Sequence, residues 1–254
     1  MTISCLLFFI MITFKNVWKT YPKSIGSPSH TALSDLSFFL DKGETLGLVG
    51  ANGAGKTTTI HLILDFLRPD EGEVKLFDRP VDIAENRAKI GYLPEVPNYP
   101  DNLSVNEMVD FTGQSCGIDK NVLGAAKEKW LNFFDLWDAR NRSVKHYSKG
   151  MKQRASFATA LINDPDLLIL DEPMSGLDPV GREKIFQLLM DLKQEGKTIL
   201  FCSHILEDVD RLVDKVLVLD KGENLFMGRP DTFCNQFATT SFVQAFLNCI
   251  GPKV

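Results

Sequence analysis

One stretch constrains the fold of this chain more than any other feature. It reads Gly50-Ala51-Asn52-Gly53-Ala54-Gly55-Lys56-Thr57-Thr58. It fits the pattern GxxxxGK[ST], in which glycines let backbone N–H groups turn inward around a polyphosphate. Lys56 adds a mobile cation, and Thr57 supplies a hydroxyl for the magnesium ion that accompanies a nucleoside triphosphate. The stretch therefore predicts a nucleotide-binding loop.

The residues on both sides of this loop favour the same interpretation. The apolar run Thr45 to Val49 before it is typical of a buried parallel strand. Apolar residues at helical spacing follow until Pro69 stops the run. They are Thr59, Ile60, Leu62, Ile63, Phe66 and Leu67. The N-terminus of such a helix offers its positive end to an anion. A Gly-rich turn that precedes Lys-Thr by chance would need neither the strand before it nor the helix after it.

Composition limits the class of protein. The 254 residues are 44% hydrophobic and 24% charged, which is ordinary for an α/β protein with a large core. The net charge of -5 leaves no basic excess to neutralise phosphates, so we expect no nucleic-acid partner. The five cysteines lack metal-ligand spacing and favour a reduced, cytoplasmic protein. The apolar run Cys5 to Ile12 is too short to span a bilayer, and residues 1–10 are expected to be an extension outside the fold.

Next to this extension, two strands are expected to form an antiparallel hairpin. Ile12 to Val17 alternates like a first strand, and a second run contains Leu33 and Leu40. A Pro/Gly/Ser-containing loop, Pro22 to Ser29, lies between them, with Tyr21 at its bend. From spacing alone, Tyr21 suits either stacking on an adenine or packing in the hairpin.

A helical insertion is predicted after two further strands, Glu73 to Phe77 and Ile90 to Leu93. Ser104 and Glu107 form a plausible capping box at its start. The segment of about 96–163 is rich in aromatic residues and ends with a helix that begins near Ser148. A serine before a helix can simply cap it, so this segment alone leaves a binding role open.

The run Leu167 to Glu172 is an apolar strand that ends in adjacent acids. A carboxylate at the carboxyl edge of a buried strand lies where open α/β sheets bind ligands. Asp171 would reach magnesium, and Glu172 would polarise an attacking water. A strand that ends in solvated acids is the simpler alternative.

Further elements complete this core. The segment Ser175-Gly176-Leu177-Asp178 is a turn before a helix from Val180 to Gln194. The buried strand Thr198 to Cys202 is expected to run parallel to the acidic strand, which would bring His204 to the same sheet edge. A hairpin turning at Lys221-Gly222 and a helical tail over residues 231–254 follow.

In this order the pieces resemble the ATP-binding subunit of ABC transporters, from Met11 to about Pro230. The resemblance implies an α/β fold with a P-loop NTPase core, a mostly parallel sheet, an antiparallel β subdomain and the helical insertion. It implies that Gly50 to Thr58 is the Walker A loop and Leu167 to Glu172 the Walker B strand. His204 would be the switch histidine and Tyr21 the adenine-stacking residue. The dimer-contact loop would be Ser175-Gly176-Leu177-Asp178.

Two positions depart from the family's usual pattern. The signature LSGGQ is represented by Tyr147-Ser148-Lys149-Gly150-Met151, and the coupling loop carries Glu95 where Gln is usual. Both variants resemble exporter ATPases whose permease is a separate chain. That subfamily is associated with the export of drugs, antibiotics, ions and polysaccharides.

The resemblance implies ATP hydrolysis, with magnesium held by Thr57, Asp171 and Glu95. Two subunits, identical or different, would close head to tail so that Ser148 and Gly150 meet the γ-phosphate bound to the partner subunit. A separate transmembrane permease would hold the pair at the inner face of the cell membrane. Lys56 of the Walker A loop, Glu172 at the end of the Walker B strand and the switch histidine His204 are the expected catalytic residues.

Other classes of protein share part of this pattern. A P-loop kinase or a switch GTPase would not need Ser148-Lys149-Gly150 or His204, and the NKxD-type guanine motif is absent from the sequence. A chromosome ATPase would need a longer insertion between Glu95 and Ser148, and translation-linked relatives carry tandem domains. The alternative function is a non-transport P-loop ATPase or a nucleotide-dependent switch module.

Overall fold

The computed structural model describes residues 9–22, 29–97 and 99–251. The strands, in chain order, are β1 (Ile10–Tyr21), β2 (His30–Asp41), β3 (Thr45–Gly50), β4 (Glu71–Leu76), β5 (Arg79–Pro80), β6 (Ile90–Leu93), β7 (Leu167–Asp171), β8 (Thr198–Cys202), β9 (Lys215–Asp220) and β10 (Glu223–Gly228). The helices are α1 (Lys56–Ile63), α2 (Ala84–Arg87), α3 (Val105–Ser115), α4 (Lys120–Phe133), α5 (Lys149–Leu161), α6 (Pro179–Gln194), α7 (Leu206–Leu212), α8 (Pro230–Gln236) and α9 (Phe242–Ile250). Val144–His146 forms a short 3₁₀ helix. The described residues fall into two compact units, one ending at Ile83 and resuming at His204, the other spanning Ala84–Ser203.

The first unit contains a four-stranded antiparallel sheet in the order β2-β1-β4-β5. The predicted hairpin is confirmed, because β1 pairs antiparallel with β2 from Ile10 opposite Asp41 to Tyr21 opposite His30. Alternate side chains of the pair point to the core, where the rings of Phe14 and Phe38 stack with centroids 4.6 Å apart. This sheet is the predicted antiparallel β subdomain.

The same unit positions the nucleotide loop. Strand β3 pairs in parallel with β9, which pairs antiparallel with β10. Five of the six residues of β3 are buried, as expected of a strand covered on both faces. The loop leaves the carboxyl end of β3 and enters α1. Helices α8 and α9 form the predicted C-terminal tail and pack around Phe233, whose ring contacts those of Phe226 and Phe242.

The second unit is built on three parallel strands in the order β8-β7-β6. Every residue of β7 and of β8 is buried, which explains their uninterrupted apolar sequences. The helices predicted for the insertion are α3, α4 and α5, and they belong to the same compact unit as these strands. An aromatic cluster of Trp130, Phe133, Phe134 and Phe157 packs α4 against α5.

The predicted starts of α3 and α5 agree with their caps, and α6 begins one residue before the predicted Val180. Ser104 accepts from Glu107 N and Glu107 Oε2 accepts from Ser104 N at 2.8 Å, which completes the capping box of α3. Ser148 caps α5, and its hydroxyl accepts from Met151 N at 3.2 Å. Asp178 caps α6, which begins with Pro179.

The structure corrects two boundaries and adds two helices, α2 and α7. α1 ends at Ile63 rather than continuing to Leu67, because Asp65 adopts a left-handed backbone with φ of 57° and Phe66 turns out to solvent, 62% exposed. β1 begins at Ile10, so Ile10 lies in the sheet rather than in the predicted extension of residues 1–10, and next to it Lys42 N donates to Phe9 O at 2.9 Å. Residues 1–8 and most of the predicted loop Pro22 to Ser29 lie outside the described residues. Neither α2 nor α7 is predicted from the sequence.

Candidate functional site

Two glycines of the nucleotide loop hold backbone conformations that other residues adopt only with strain. Gly53 has a φ of 80° and Gly55 a φ of 108°. A Cβ at Gly55 would lie 2.7 Å from Ala32 O and 2.7 Å from Leu33 Cδ2, whereas no described atom lies within 4 Å of a Cβ built at Gly53. Gly53 therefore serves the turn alone, and Gly55 also serves close packing against β2.

Lys56 lies across this loop. Its ammonium donates to Gly50 O at 2.7 Å and to Ala51 O at 3.1 Å. The turn at Ala54 is braced from outside the loop, because Gly222 N donates to Ala54 O at 3.0 Å. The first turn of α1 contains no acidic residue. The loop therefore combines an ammonium, glycine-permitted turns and a positive helix terminus, which together suit a polyphosphate.

The threonines after the lysine differ in exposure. Thr57 is exposed, so its hydroxyl is accessible to an ion, whereas Thr58 and Thr59 are buried. The Thr59 hydroxyl donates to Gly55 O at 3.0 Å and tightens the start of α1. The Tyr21 hydroxyl lies 3.3 Å from Thr58 Oγ1, and the Tyr21 side chain is 37% exposed. The structure therefore places Tyr21 beside the nucleotide loop with part of its ring open to solvent.

The acids at the end of β7 are enclosed. Asp171 is 5% exposed and Glu172 is 8% exposed. Glu172 has a left-handed backbone with φ of 49°, and its N–H donates to Cys202 O at 2.9 Å. Burial first, and the nearby Asp171 charge second, raise the pKa of Tyr92 to about 12. The acids are not solvated strand-end carboxylates, so the simpler alternative is wrong.

The segment predicted to be the signature and the loop predicted to contact a partner subunit lie side by side. They line a cavity of about 510 Å³ that includes Ser148, Gly150, Gly176, Leu177 and Asp178. A Cβ built at Gly150 would lie 3.5 Å from Gly176 O, so the two segments approach closely. The helix termini of α5 and α6 both open at this cavity.

Lys149, which stands where the family usually has glycine, packs onto this loop. A Cβ at Gly176 would lie 2.6 Å from Lys149 Cε and 2.7 Å from Lys149 Cδ. The lysine stem therefore covers the glycine, whose φ is 76°. The remaining variant residue, Met151, lies in the first turn of α5 and donates its N–H to the Ser148 cap. Ser175 N donates to Glu172 O at 3.0 Å, which ties the loop to the acidic strand end.

Glu95 and His204 are both exposed. Glu95 follows β6 by two residues, and His204 follows β8 by two residues. β7 and β8 are parallel, as predicted, with Asp171 opposite Cys202. The described residues contain no group of three or more His, Cys, Asp and Glu side chains arranged to hold a metal ion.

Sequence reasoning missed two supports of the site. Gln153 is buried and donates to the carbonyls that follow β7, and Gly222 braces the nucleotide loop. In the sequence, Gln153 is a polar residue in the second turn of α5, and no neighbouring residue indicates that it is buried. Gly222 was predicted as a hairpin turn, and nothing local to it shows that the turn reaches the loop.

The described part of the chain contains no helix that is both long enough and apolar enough to cross a membrane.

Comparisons of the sequence with known proteins agree on one family. The family profile for the ABC transporter matches residues 33–175. An uncharacterised ABC transporter ATP-binding protein of Synechocystis sp. is 41% identical over 202 residues, covering 78% of this chain and 56% of that protein. A Nod factor export ATP-binding protein I of Bradyrhizobium diazoefficiens is 35% identical over 226 residues, covering 88% of this chain and 73% of that protein. The chain thus spans little more than half of the length of the cyanobacterial relative.

Solved structures agree with the sequence comparisons. An ATP-binding subunit of an ABC transporter superposes with a TM-score of 0.86 and 28% identity, covering 94% of this chain and 99% of that chain. A dimeric ATP-binding cassette in a post-hydrolysis state bound to ADP and Pi superposes with a TM-score of 0.78 and 26% identity, covering 86% of this chain and 98% of that chain. These structures confirm the predicted α/β fold. The family match and the Nod factor relative together establish that this chain belongs to the ABC transporter family, as one of its ATP-binding proteins.

Proposed function

We propose that this chain binds and hydrolyses ATP and thereby powers an ABC-type membrane exporter. The observation that carries the proposal is the nucleotide loop, in which Lys56 Nζ lies 2.7 Å from Gly50 O. Lys56 is also the first residue of α1, whose first turn contains no acidic residue. Those carbonyl contacts are exchangeable for phosphate oxygens, because an ammonium forms stronger hydrogen bonds with an anion than with a neutral carbonyl. The loop is thus prepared for a triphosphate.

The chemistry of the candidate ligands, taken one by one, suits magnesium. Mg²⁺ prefers oxygen ligands, and Thr57 and Asp171 offer an accessible hydroxyl and a carboxylate, with Glu95 as a third candidate. When bound, Mg²⁺ would offset charge on the phosphates. This chain's own residues do the rest: Lys56 binds the β- and γ-phosphates, and Tyr21 presents its part-exposed ring to the adenine.

Glu172 is the proposed catalytic carboxylate. It is buried, and Ser203 Oγ donates to its Oε2 at 3.5 Å, so the carboxylate is oriented rather than free to rotate in solvent. A carboxylate held in this way accepts a proton from water and makes the oxygen a better nucleophile. His204, at the end of the adjacent strand, is proposed to approach the γ-phosphate.

The proposed catalytic assembly is a dimer. The Ser148 hydroxyl and Gly150 N–H, at the start of α5, would close over the γ-phosphate bound to the partner subunit. The adjoining loop Ser175 to Asp178 would contact that subunit. The cavity that these segments share, and the solved cassette dimer with ADP and Pi, support this arrangement. Identical and different partner subunits both satisfy it.

We further propose that the chain sits at the cytoplasmic face of the cell membrane, bound to a separate permease. The Nod factor export relative supports export as the direction. Glu95, exposed after β6, is the residue proposed to couple the permease to the site. With the permease reconstituted, Glu95→Gln should keep ATPase activity, whereas Glu95→Ala should weaken transport per ATP hydrolysed. Full transport per ATP in the Ala variant would defeat the coupling role.

Magnesium-dependent hydrolysis of ATP by the purified chain tests the enzymatic proposal. Lys56→Ala should abolish it and weaken ATP binding by about 1–3 kcal/mol, the range for a charge-assisted contact. Lys42→Ala is the matched control, because Lys42 is an exposed lysine of the same unit. Unchanged ATP affinity of Lys56→Ala by calorimetry would contradict the proposal. Co-purification of the chain from membranes with a multi-span protein separates a transporter subunit from a non-transport ATPase.

A further inference from the structure

Gln153 forms a buried contact between α5 and the segment that carries the catalytic carboxylate. Its side chain is 2% exposed, and its Nε2 donates to Pro173 O at 2.8 Å and to Glu172 O at a longer 3.5 Å. The partners are 19 and 20 residues away in the sequence, so this contact belongs to the tertiary structure. It joins the fifth residue of α5 to the first residues after β7.

The segment at the far end of this contact is held in an unusual backbone conformation. Glu172 has a φ of 49°, which is a region that non-glycine residues occupy only when the surroundings enforce it. Its N–H donates to Cys202 O at 2.9 Å, and its carbonyl accepts from Ser175 N at 3.0 Å. The Gln153 amide adds a side-chain donor to the same peptide. Together these contacts fix where the Glu172 side chain leaves the backbone.

The chemistry of this contact fits glutamine in particular. The Pro173 carbonyl accepts an N–H donor at 2.8 Å, and a neutral amide supplies it without placing a charge in the interior. A carboxylate of the same shape would face the two carbonyls as a third acceptor. An apolar side chain would leave the buried carbonyl of Pro173 without this donor.

A second contact joins the same two segments. The Lys149 stem covers Gly176, with Cε 2.6 Å from where a Cβ would lie. α5 therefore touches the segment after β7 at two points, one at Pro173 and one at Gly176. Ser148, the cap of α5, stands at the start of this helix.

We propose that Gln153 is a positioning residue for Glu172, and that through it the signature helix α5 fixes the catalytic carboxylate of its own subunit. The inference rests on the proposed catalytic role of Glu172. Gln153 does not touch the nucleotide in this account. It holds the peptide from which Glu172 extends, so its loss displaces the carboxylate relative to the attacking water.

The test compares Gln153→Met, which keeps the length of the side chain but removes the donor, with Gln153→Glu, which keeps the shape. Both should lower kcat for ATP hydrolysis by about tenfold or more, while the Kd for ATP changes less than about twofold. Ala160→Gly is the control, because it weakens the same helix at a buried position away from Glu172. Thermal unfolding of each variant shows that it folds.

A double-mutant cycle distinguishes positioning from a general structural effect. In the Glu172→Gln background the carboxylate is already lost, so adding Gln153→Met should lower the residual rate little further. The inference is overturned if the two reductions in kcat multiply in the double variant. It is also overturned if Gln153→Met keeps the wild-type kcat, or if Ala160→Gly lowers kcat by as much as Gln153→Met does. Failure of the proposed function is distinguishable from failure of this inference, because a chain without that function would not hydrolyse ATP even when unsubstituted.

Discussion

The hydroxyl of Tyr21 lies 3.3 Å from the hydroxyl of Thr58. Tyr21 is the last residue of β1. Thr58 belongs to the nucleotide loop, so the contact places an aromatic side chain of the antiparallel sheet beside the backbone that is proposed to bind phosphate. The side chain remains 37% exposed, which leaves part of the ring available to a ligand. Both residues belong to the first compact unit.

Tyr21→Ala should therefore weaken ATP binding by about 1–3 kcal/mol, the range for stacking of a base on an aromatic side chain. Tyr21→Phe keeps the ring and loses only the hydroxyl contact, so its affinity should stay close to that of the unsubstituted chain. Titration with a fluorescent ATP analogue measures both variants. Equal affinity of the Ala variant would mean that Tyr21 packs the hairpin and does not bind the base.

Gly53 and Gly55 offer a matched pair of substitutions. Alanine at either position must adopt a positive φ, but only the Cβ at Gly55 would meet Ala32 O, at 2.7 Å. Gly55→Ala should thus be less stable than Gly53→Ala by about 1–3 kcal/mol, the usual cost of overpacking. Chemical denaturation of the two variants gives the difference. Similar stabilities would show that β2 moves away to accommodate the methyl group.

The elements that could be predicted from the sequence are those whose structure is determined by residues close to one another in the chain. The uninterrupted apolar run of β7, the capping box of Ser104 and Glu107 and the Ser148 cap each depend on neighbours in the chain. The nucleotide loop belongs to this group, since its glycines and Lys56 act on their own backbone. Local chemistry determines these features, and so the sequence displays them.

The features that were missed depend on distant partners. The contact of Gln153 with Pro173 joins residues 20 positions apart, and Lys149 reaches Gly176 through its stem. The end of α1 was misplaced because Phe66 continues the apolar period, although Asp65 reverses the backbone and exposes it. Apolar spacing alone does not report such a reversal.

We expect Asp70 to contribute to the acid sensitivity of the first unit. Its carboxylate accepts from Lys19 Nζ at 2.7 Å and from Thr20 N at 2.6 Å, and the Lys19 bond is the main cause that holds the pKa of Asp70 below its usual value. A lowered carboxyl pKa stabilises the fold above the unfolded pKa, and this contribution is lost as the pH falls through the folded pKa. Asp70→Asn should remove that part of the acid dependence.

The effect should be small, because the Asp70 side chain is 44% exposed and exposed ion pairs contribute about 0.2–1 kcal/mol. The free energy of unfolding, measured by denaturant titration from neutral to acid pH, should become equal for Asp70→Asn and the unsubstituted chain at low pH. Asp82→Asn, at an exposed carboxyl of the same unit, is the control. A difference between Asp70→Asn and the unsubstituted chain that grew toward low pH would contradict the assignment.

An ATP-driven dimer is the centre of the proposed mechanism, and Glu172→Gln tests it most directly. The side chain keeps its shape but no longer accepts a proton from water, so hydrolysis should slow while ATP binding persists. The ATP-bound dimer should then accumulate. Light scattering of Glu172→Gln is the decisive measurement: we predict a mass of two chains with ATP and magnesium and of one chain without nucleotide, and a single-chain mass under both conditions would contradict the account.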